Sequence, residues 1–434
     1  MKYEFNRGYA FTRIFTNLAL RLNFGKLIYV GKENADTDYP LIFAPNHRNA
    51  VIDPMILINF ISKKQLVFLA RADVFKNPKI ARILVWLHIM PVYRIRDGVD
   101  NLKNNEESFE LSGNLLKKKI PLALFPEGRH NPKLSLLPIQ KAIPRIVFPI
   151  EEEFDFTLGS RVIPVGIYYP DIFGFLSDAY ITFGKPILMS DYKEQYEINP
   201  QLAANQIRQD LGKSLSELIV DIQNDEYYDE YVHAIDWNAH TLAKQRYPKN
   251  KEGYLLASQD IVRKLDKLFE HDCQTFDSKI ENFRSAHKTL KEYGLTSKDP
   301  VSNPSAALSL LLQTLLLVVT FPIALFGFIN GIFPIIGYKK LLGLFKEEQF
   351  IPSVRYASGM LLVPIFDLIQ TIIIGITTMS LGVSIAYFLL MPATFYFACW
   401  WRKWAKGLRR KWKVNRFKNR FPDVWEKIIA QIKL

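Results

Sequence analysis

The chain has 434 residues, two cysteines and a formal net charge of +13. This length is sufficient for two or three domains with a full hydrophobic core. Two cysteines exclude a disulfide framework, and no metal-ligand spacing surrounds either of them, so we predict no metal site.

The positive charge is concentrated near the C-terminus. Residues 402–420 contain ten Lys or Arg and no acidic residue, and they directly follow a long apolar segment. Trp404 and Trp412 lie among these cations. Basic residues and Trp in that position are typical of a tail that contacts anionic lipid headgroups. We therefore predict membrane lipids, and no nucleic acid, as partners.

The first 24 residues predict an amphipathic helix. Arg7, Arg13 and Arg21 alternate there with apolar residues such as Phe11 and Leu18. A helix of this kind either lies on a membrane surface or is an ordinary surface helix of the fold.

Residues 25–198 alternate short apolar runs with helical stretches, which predicts an α/β domain with a largely parallel sheet. The predicted strands are Leu27–Val30, Leu41–Ala44, Leu66–Ala70, Met90–Tyr93, Ile120–Phe125, Val162–Tyr169 and Tyr180–Phe183. The predicted helices between them are Met55–Ser62, Pro78–Leu87 and Asn101–Lys117.

Residues 199–304 predict a helical region with a structural role. This part is charged and carries Leu and Ile at helical spacing. Leu211, Leu215 and Ile219 fall on one helix face, and Ile261 and Leu265 fall on another.

Residues 305–401 predict membrane segments. Ala306 to Gly337 is a run of 32 residues without a charge, and Ala357 to Trp401 is a run of 45 residues in which Asp367 is the only charge. A span needs roughly 20 apolar residues. For the first run we predict a re-entrant helical hairpin or, alternatively, a single tilted span. For the second we predict a two-span hairpin.

The charges around these runs indicate an orientation. The second hairpin is predicted to turn near Ser380 and Gly382, so that the loop before it and the basic tail at residues 402–434 lie on the cytoplasmic side. Asp367 is costly inside lipid. It therefore has a functional or interhelical role, unless it lies near the membrane surface.

The segment from Leu41 to Pro54 carries the first candidate chemistry. Asp53 followed by Pro54 predicts a helix N-cap and the first helical residue. His47 and Asp53 would then lie on a loop between a strand and a helix, a frequent position for catalytic groups in α/β folds. Taken alone, Asp53 could be only a cap and His47 only a loop histidine.

Four short motifs in order resemble one known family. They are Asn46-His47 with Asp53, Pro91-Val92-Tyr93-Arg94, Phe125-Pro126-Glu127-Gly128 and Val162-Ile163-Pro164-Val165. Their order and spacing resemble the sequence blocks of the glycerolipid acyltransferases, which include glycerol-3-phosphate and lysophosphatidate acyltransferases. The resemblance covers roughly residues 24–187 and implies a mixed sheet flanked by helices, followed by membrane helices.

Two positions depart from the common pattern of that family. Five residues separate His47 from Asp53, where most members have four. This spacing resembles the variant that accepts glycerol-3-phosphate or dihydroxyacetone phosphate. Arg129 and His130 follow Gly128, where small or hydroxyl residues are frequent.

The resemblance implies a catalytic role for His47 and Asp53. A neutral imidazole is suited to take the proton of a hydroxyl that attacks a thioester, and His47 is the predicted base. Asp53 would orient the ring and stabilise the imidazolium. The thioester supplies its own leaving group, so we expect neither a metal nor another cofactor.

The remaining motif residues are predicted to bind substrates. Arg94 would hold the phosphate of the acceptor in a bidentate contact, and Arg129 would add a second cation. Glu127 would accept a hydrogen bond from the acceptor hydroxyl, and Gly128 would permit close backbone approach. Asn46 completes the predicted substrate-binding set.

We thus predict a membrane-bound O-acyltransferase with its catalytic domain on the cytoplasmic face. It would move a fatty acyl group from acyl-CoA or acyl carrier protein to glycerol-3-phosphate, dihydroxyacetone phosphate or 1-acylglycerol-3-phosphate. Two alternatives stay open. One is an acyltransferase for a lipid acceptor without glycerol, and the other is a catalytically silent membrane protein that binds lipid.

Overall fold

The computed structural model describes residues 7–35, 38–60, 65–93, 103–299, 307–345 and 347–434. The chain divides into two compact units, Met1–Asp221 and Ile222–Leu434. The first unit contains the sheet, and the second consists of helices.

A mixed sheet forms the centre of the first unit. Within the described residues it has eight strands: β1 Phe24–Val30, β2 Leu41–Pro45, β3 Val67–Arg71, β4 Ile89–Val92, β5 Leu122–Leu124, β6 Arg161–Tyr168, β7 Ser177–Phe183 and β8 Ile187–Leu188. The strand order is β1-β7-β6-β2-β5-β3-β4, and β8 pairs with β6. All pairs are parallel except those of β6 with β7 and with β8.

Strand β2 occupies the middle of the sheet, with β5 on one side and β6 on the other. All five of its residues are buried, as expected for a strand covered on both faces. Because β2, β5 and β6 are parallel, their carboxyl ends lie at the same edge. The residues that follow these three strands therefore meet there.

The helices of the first unit are α1 Arg7–Asn23, α2 Ile52–Phe60, α3 Pro78–Trp86, α4 Lys103–Lys117, α5 Ala142–Glu153, α6 Lys193–Ile198 and α7 Pro200–Leu218. Side chains of β2, β5 and β6 form one apolar core with α4, α5 and α7. Helix α1 packs on α2 and buries Tyr9 and Leu20, whereas Phe11 and Ile14 on its outer face are 74% and 70% exposed. The predicted amphipathic pattern is thus present in α1.

The start of α2 corrects one prediction. The helix begins at Ile52, so Asp53 lies inside its first turn and is not the N-cap. The side chain of Asn49 takes the capping contacts instead, since its Oδ1 accepts from the backbone N–H groups of Val51 and Ile52 at 3.4 and 3.2 Å. Asp53 points back toward the loop before the helix.

The second unit begins with three long helices, α8 Tyr228–Arg246, α9 Gly253–His271 and α10 Cys273–Glu292. Helix α8 packs against α9, and α10 packs against the final helix, α15 Pro422–Ile432. Their buried faces carry the predicted Ile261 and Leu265.

Four further helices are rich in apolar residues: α11 Ala307–Asn330, α12 Ile332–Leu342, α13 Ile351–Thr378 and α14 Leu381–Arg420. In the part of the chain that the structure describes, three helical segments are long and apolar enough to cross a membrane: Ala307–Asn330, Glu348–Thr378 and Leu381–Arg420. Most of their surface is exposed, which is consistent with a lipid environment.

Helix α13 packs against two antiparallel neighbours, α12 and α14. Helix α13 runs antiparallel to α14, with the turn at Met379 and Ser380. Helix α12 runs back along α13, because Phe333 stacks on Phe366 and Gly337 lies against Leu362. The helical chain is interrupted between α11 and α12 by one residue, Gly331. The path of Ala306–Gly337 relative to a membrane stays a prediction.

The predicted fold class is confirmed: an α/β unit with a mixed sheet and flanking helices precedes a helical region and the apolar helices. The seven predicted strands each overlap an observed one. Strand β8 and helices α5 and α6 were not predicted. Proline disfavours a helix interior, but Pro144 stands in the first turn of α5 and Pro149 costs α5 a backbone hydrogen bond without ending it.

Candidate active site

His47 lies two residues beyond the carboxyl end of β2, on a loop that is bonded to neighbouring elements. The Asn46 side chain accepts from the Ile167 N–H at 2.6 Å and donates to the Ile167 carbonyl at 3.1 Å. The His47 carbonyl accepts from the Asn131 N–H at 2.8 Å. Asn46 was predicted to bind substrate. In the structure both ends of its amide bond the backbone of β6, and these bonds fix the loop that carries His47.

The structure brings His47 and Asp53 together. His47 Nδ1 lies 3.0 Å from Asp53 Oδ2, and the Asp53 side chain is fully buried. The same Oδ2 accepts from the backbone N–H groups of Arg48 and Asn49 at 2.8 and 2.7 Å. These donors favour an ionised carboxylate, which can only accept. The His47 hydrogen is therefore assigned to Nδ1, and the lone pair of Nε2 is left to accept a proton.

Tyr169 is a partner of Asp53 that the sequence analysis did not identify. Its hydroxyl donates to Asp53 Oδ1 at 2.6 Å. Burial and the adjacent Asp53 carboxylate raise the pKa of Tyr169 well above its usual value, so the hydroxyl stays protonated and keeps donating. Tyr169 follows β6, and the parallel pairing of β6 with β2 places it beside the His47 loop.

Glu127 connects the loop after β5 to the His47 loop. Its Oε1 accepts from the His47 N–H at 2.6 Å, and its Oε2 accepts from the Leu137 N–H at 2.9 Å. The pKa of the Glu127 carboxyl is raised to about 7, mainly by burial. The charges of Asp53 and Asp221 also raise this pKa, and the two N–H donors lower it. Glu127 therefore holds the backbone of the predicted base in place, whatever contact it makes with an acceptor.

Two rings lie beside the His47 imidazole. Phe125 stacks on it with ring centroids 3.7 Å apart, and His130 lies at 4.5 Å. Burial, helped by the charges of His47 and Arg71, lowers the pKa of His130 to about 4, so this second imidazole is neutral at neutral pH. A neutral neighbour does not repel the imidazolium that forms when His47 accepts a proton.

The other predicted residues have different positions. Gly128 adopts φ +69°, the left-handed region that favours glycine, and Arg129 after it is exposed. Arg94, predicted to hold a phosphate, lies outside the described residues.

Two arginine side chains near the site, Arg48 and Arg71, were not identified from the sequence. Arg48 is buried and donates to the carbonyl of Pro132 at 2.8 Å, which ties the His47 loop to the segment after β5. Arg71, at the end of β3, forms an ion pair with Asp73. Its charge also lowers the pKa of His130. The only sequence signal for Arg71 was its place after a predicted strand.

Acidic, histidine and cysteine side chains do not form a metal centre among the residues that the structure describes. The contacts at this edge of the sheet supply the chemistry of an oriented base. A buried carboxylate fixes the His47 ring, Glu127 fixes its backbone, and Nε2 can take a proton from a substrate hydroxyl.

Comparisons with known proteins find a family model and solved structures that are similar to this chain. The family model described as Acyltransferase matches residues 26–168, a range that contains His47, Asp53 and Glu127. The crystal structure of the 1-acyl-sn-glycerophosphate (LPA) acyltransferase PlsC from Thermotoga maritima is similar to 47% of this chain and 78% of that chain. Its sequence identity is 17% and its TM-score 0.32. No curated protein matches the chain.

Proposed function

We propose that this protein is a membrane-bound O-acyltransferase of glycerolipid synthesis, and the match of residues 26–168 to the family model described as Acyltransferase supports this. It transfers a fatty acyl group from a thioester, acyl-CoA or acyl carrier protein, to a hydroxyl of glycerol-3-phosphate, dihydroxyacetone phosphate or 1-acylglycerol-3-phosphate. The observation that carries the proposal is the contact of His47 Nδ1 with the buried Asp53 carboxylate at 3.0 Å. That contact leaves Nε2 as the base.

In the proposed reaction, His47 Nε2 takes the proton of the acceptor hydroxyl as the oxygen attacks the thioester carbonyl carbon. The new C–O bond forms, and the tetrahedral intermediate then breaks its C–S bond. The leaving thiolate receives the proton from the His47 imidazolium, so the products are an ester and a free thiol. Asp53 stabilises the imidazolium in both steps.

Substrate binding is assigned from charge. The acceptors carry a phosphate, and Arg94 and Arg129 are the proposed cations for it. The acyl donor carries a long apolar chain, which is compatible with a protein whose candidate spans lie at Ala307–Asn330, Glu348–Thr378 and Leu381–Arg420. We place the catalytic unit on the cytoplasmic face, where soluble donor and acceptor meet the membrane.

The test is thiol release from palmitoyl-CoA by the detergent-purified protein, with each of the three acceptors offered separately. We expect release that depends on one acceptor and is abolished in His47→Ala, while that variant keeps the wild-type unfolding midpoint. Equal rates in wild type and His47→Ala would refute the mechanism. Acceptor binding without thiol release, from acyl-CoA and from acyl carrier protein, would favour the silent lipid-binding alternative.

A second series distinguishes the acceptor class. Arg94→Ala should raise the Michaelis constant for a phosphorylated acceptor and leave an uncharged lipid acceptor almost unaffected. An acceptor without phosphate that is used equally well by both proteins would favour the acyltransferase for a lipid acceptor without glycerol.

A further inference from the structure

Three apolar helices of the second unit bring polar side chains together. Asn330 is the last residue of α11, Gln370 lies in α13 and Tyr387 lies in α14. Asp367 precedes Gln370 by three residues and Thr371 follows Asp367 by four, so all three share one face of α13. These five residues, which we call the oxygen cluster, lie in segments with the composition of membrane spans.

The oxygen cluster contains more acceptor oxygens than hydrogen atoms that could be donated to them. The Tyr387 hydroxyl oxygen lies 2.6 Å from Asn330 Oδ1 and 2.5 Å from Gln370 Oε1. A hydroxyl has one hydrogen and can donate it to only one of these two oxygens. Three oxygens therefore meet around a single hydrogen.

The orientation of both amides is fixed by their nitrogen atoms. Asn330 Nδ2 donates to the Phe326 carbonyl at 2.8 Å, and Gln370 Nε2 donates to the Asn330 carbonyl at 2.9 Å. Rotating either amide would break these bonds and point its nitrogen at the hydroxyl. The two amide oxygens therefore stay directed at Tyr387.

Asp367 adds a negative charge to the oxygen cluster. Its side chain belongs to a residue that is only 2% exposed, and its Oδ1 has no hydrogen-bond partner among the described residues. Thr371 Oγ1, one turn further along α13, is buried and equally unpaired there. Asp367 also lies within electrostatic range of Tyr387. A charged carboxylate with an oxygen buried and unpaired among apolar helices is costly, and a positive charge beside it would offset that cost.

We propose that the oxygen cluster binds one small monovalent cation, with Asp367 as the charged ligand. The donors are all oxygen atoms, which suit hard cations such as Na⁺ and K⁺ rather than transition metals. One carboxylate neutralises one positive charge, whereas a divalent ion would leave a net charge among the apolar helices. The cation would connect α11, α13 and α14 where α11 ends at Asn330.

The experiment measures thermal unfolding of the full-length protein in a neutral detergent. Ionic strength is kept constant with choline chloride, and Na⁺, K⁺ or Li⁺ replaces choline stepwise. A ligand that binds only the folded state raises the midpoint logarithmically for each tenfold increase above its dissociation constant, by about 1.5 °C where the whole chain unfolds together and by about 3 °C where the second unit unfolds alone. We expect this rise for Na⁺ or K⁺ and not for choline.

Substitutions test whether the cation-dependent rise of the midpoint comes from the oxygen cluster. Asp367→Asn should lose the cation-dependent rise, and Tyr387→Phe should reduce it. Thr377→Val, a substitution on an exposed part of the same helix, should keep it. A rise that persists in Asp367→Asn, or no cation-specific rise in wild type, would overturn the proposal. A midpoint that follows pH but no metal cation would also overturn it, because Asp367 would then bind only a proton.

Equilibrium binding keeps the test independent of the variants. Wild-type protein should bind radioactive sodium, or rubidium as a potassium substitute, at one ion per chain, and unlabelled cation should compete. Absence of such binding would refute the site even if Asp367→Asn fails to fold. None of these measurements depends on acyl transfer.

Discussion

The charge of Asp53 is open to a direct test through Asp53→Asn. The Asn amide oxygen can replace Oδ2 and accept from His47 Nδ1, Arg48 N–H and Asn49 N–H, and its nitrogen can donate to the Tyr169 hydroxyl. Since each partner keeps a hydrogen bond, we expect the free energy of unfolding to fall by less than about 2 kcal/mol. The substitution removes the charge and little else.

The expected effect on the rate follows from the distance. At 3.0 Å and an effective dielectric constant of about 20, a carboxylate and an imidazolium attract each other by about 5 kcal/mol. Losing all of that attraction would slow proton transfer to His47 by about 10⁴-fold. The amide oxygen still accepts from Nδ1 and retains part of the interaction, so we expect a loss of about 10²- to 10³-fold in kcat.

The assay is thiol release under saturating donor and acceptor, with an unfolding midpoint for every variant. Tyr169→Phe is the matched control, because it removes another hydrogen bond to Asp53 but keeps the charge. We expect it to lose less than about tenfold. A rate for Asp53→Asn within threefold of wild type would refute the role of the charge. Equal losses in both variants would show that positioning, not charge, is what Asp53 supplies.

Further predictions concern neighbouring groups. The pKa of Glu127 is raised from 4.5 to about 7 in the fold, so its contribution to stability is fully present below pH 4.5 and is lost as the pH rises through 7. In denaturant titrations, the stability of wild type relative to Glu127→Gln should therefore decrease by up to about 3 kcal/mol between pH 4.5 and 7.5, and a constant difference would contradict this. The pKa of His130 is lowered to about 4, so its contribution is present above pH 6.5 and is lost as the pH falls toward 4; His130→Gln should be less sensitive to acid than wild type in the same titrations. Gly128→Ala should lower the free energy of unfolding by about 1 kcal/mol, because φ is +69° and the new Cβ would lie 3.3 Å from Gln140 Cγ; an unchanged value would mean that the loop relaxes.

Much of the fold could be predicted from local patterns. Buried strands such as β2 and β6 are mainly apolar runs, and the apolar helices contain windows of membrane-span length with few charges. Local rules failed where tertiary contacts overrode them. In α5 the surrounding core stabilises a helix that contains Pro149, and at α2 the Asp53 carboxylate is drawn away from the helix terminus by the N–H groups of Arg48 and Asn49.

The candidate site was predicted in part. His47 and Asp53 are six residues apart, so a short loop is enough to explain their contact. Tyr169 is 116 residues away from Asp53, and its contact depends on the register of β6 against β2, which no local pattern specifies. The role of Glu127 in holding the His47 N–H likewise depends on a contact across 80 residues.

The antiparallel pair of α13 and α14 bears on how this protein would be inserted into a bilayer during synthesis. Because α14 returns along α13 from the turn at Met379 and Ser380, this hairpin starts and finishes at the same end. Only its tip would have to be translocated, and the tip at Met379 and Ser380 carries no charge. The two helices could then insert as a pair, with the cationic tail of α14 retained on the ribosomal side of the membrane.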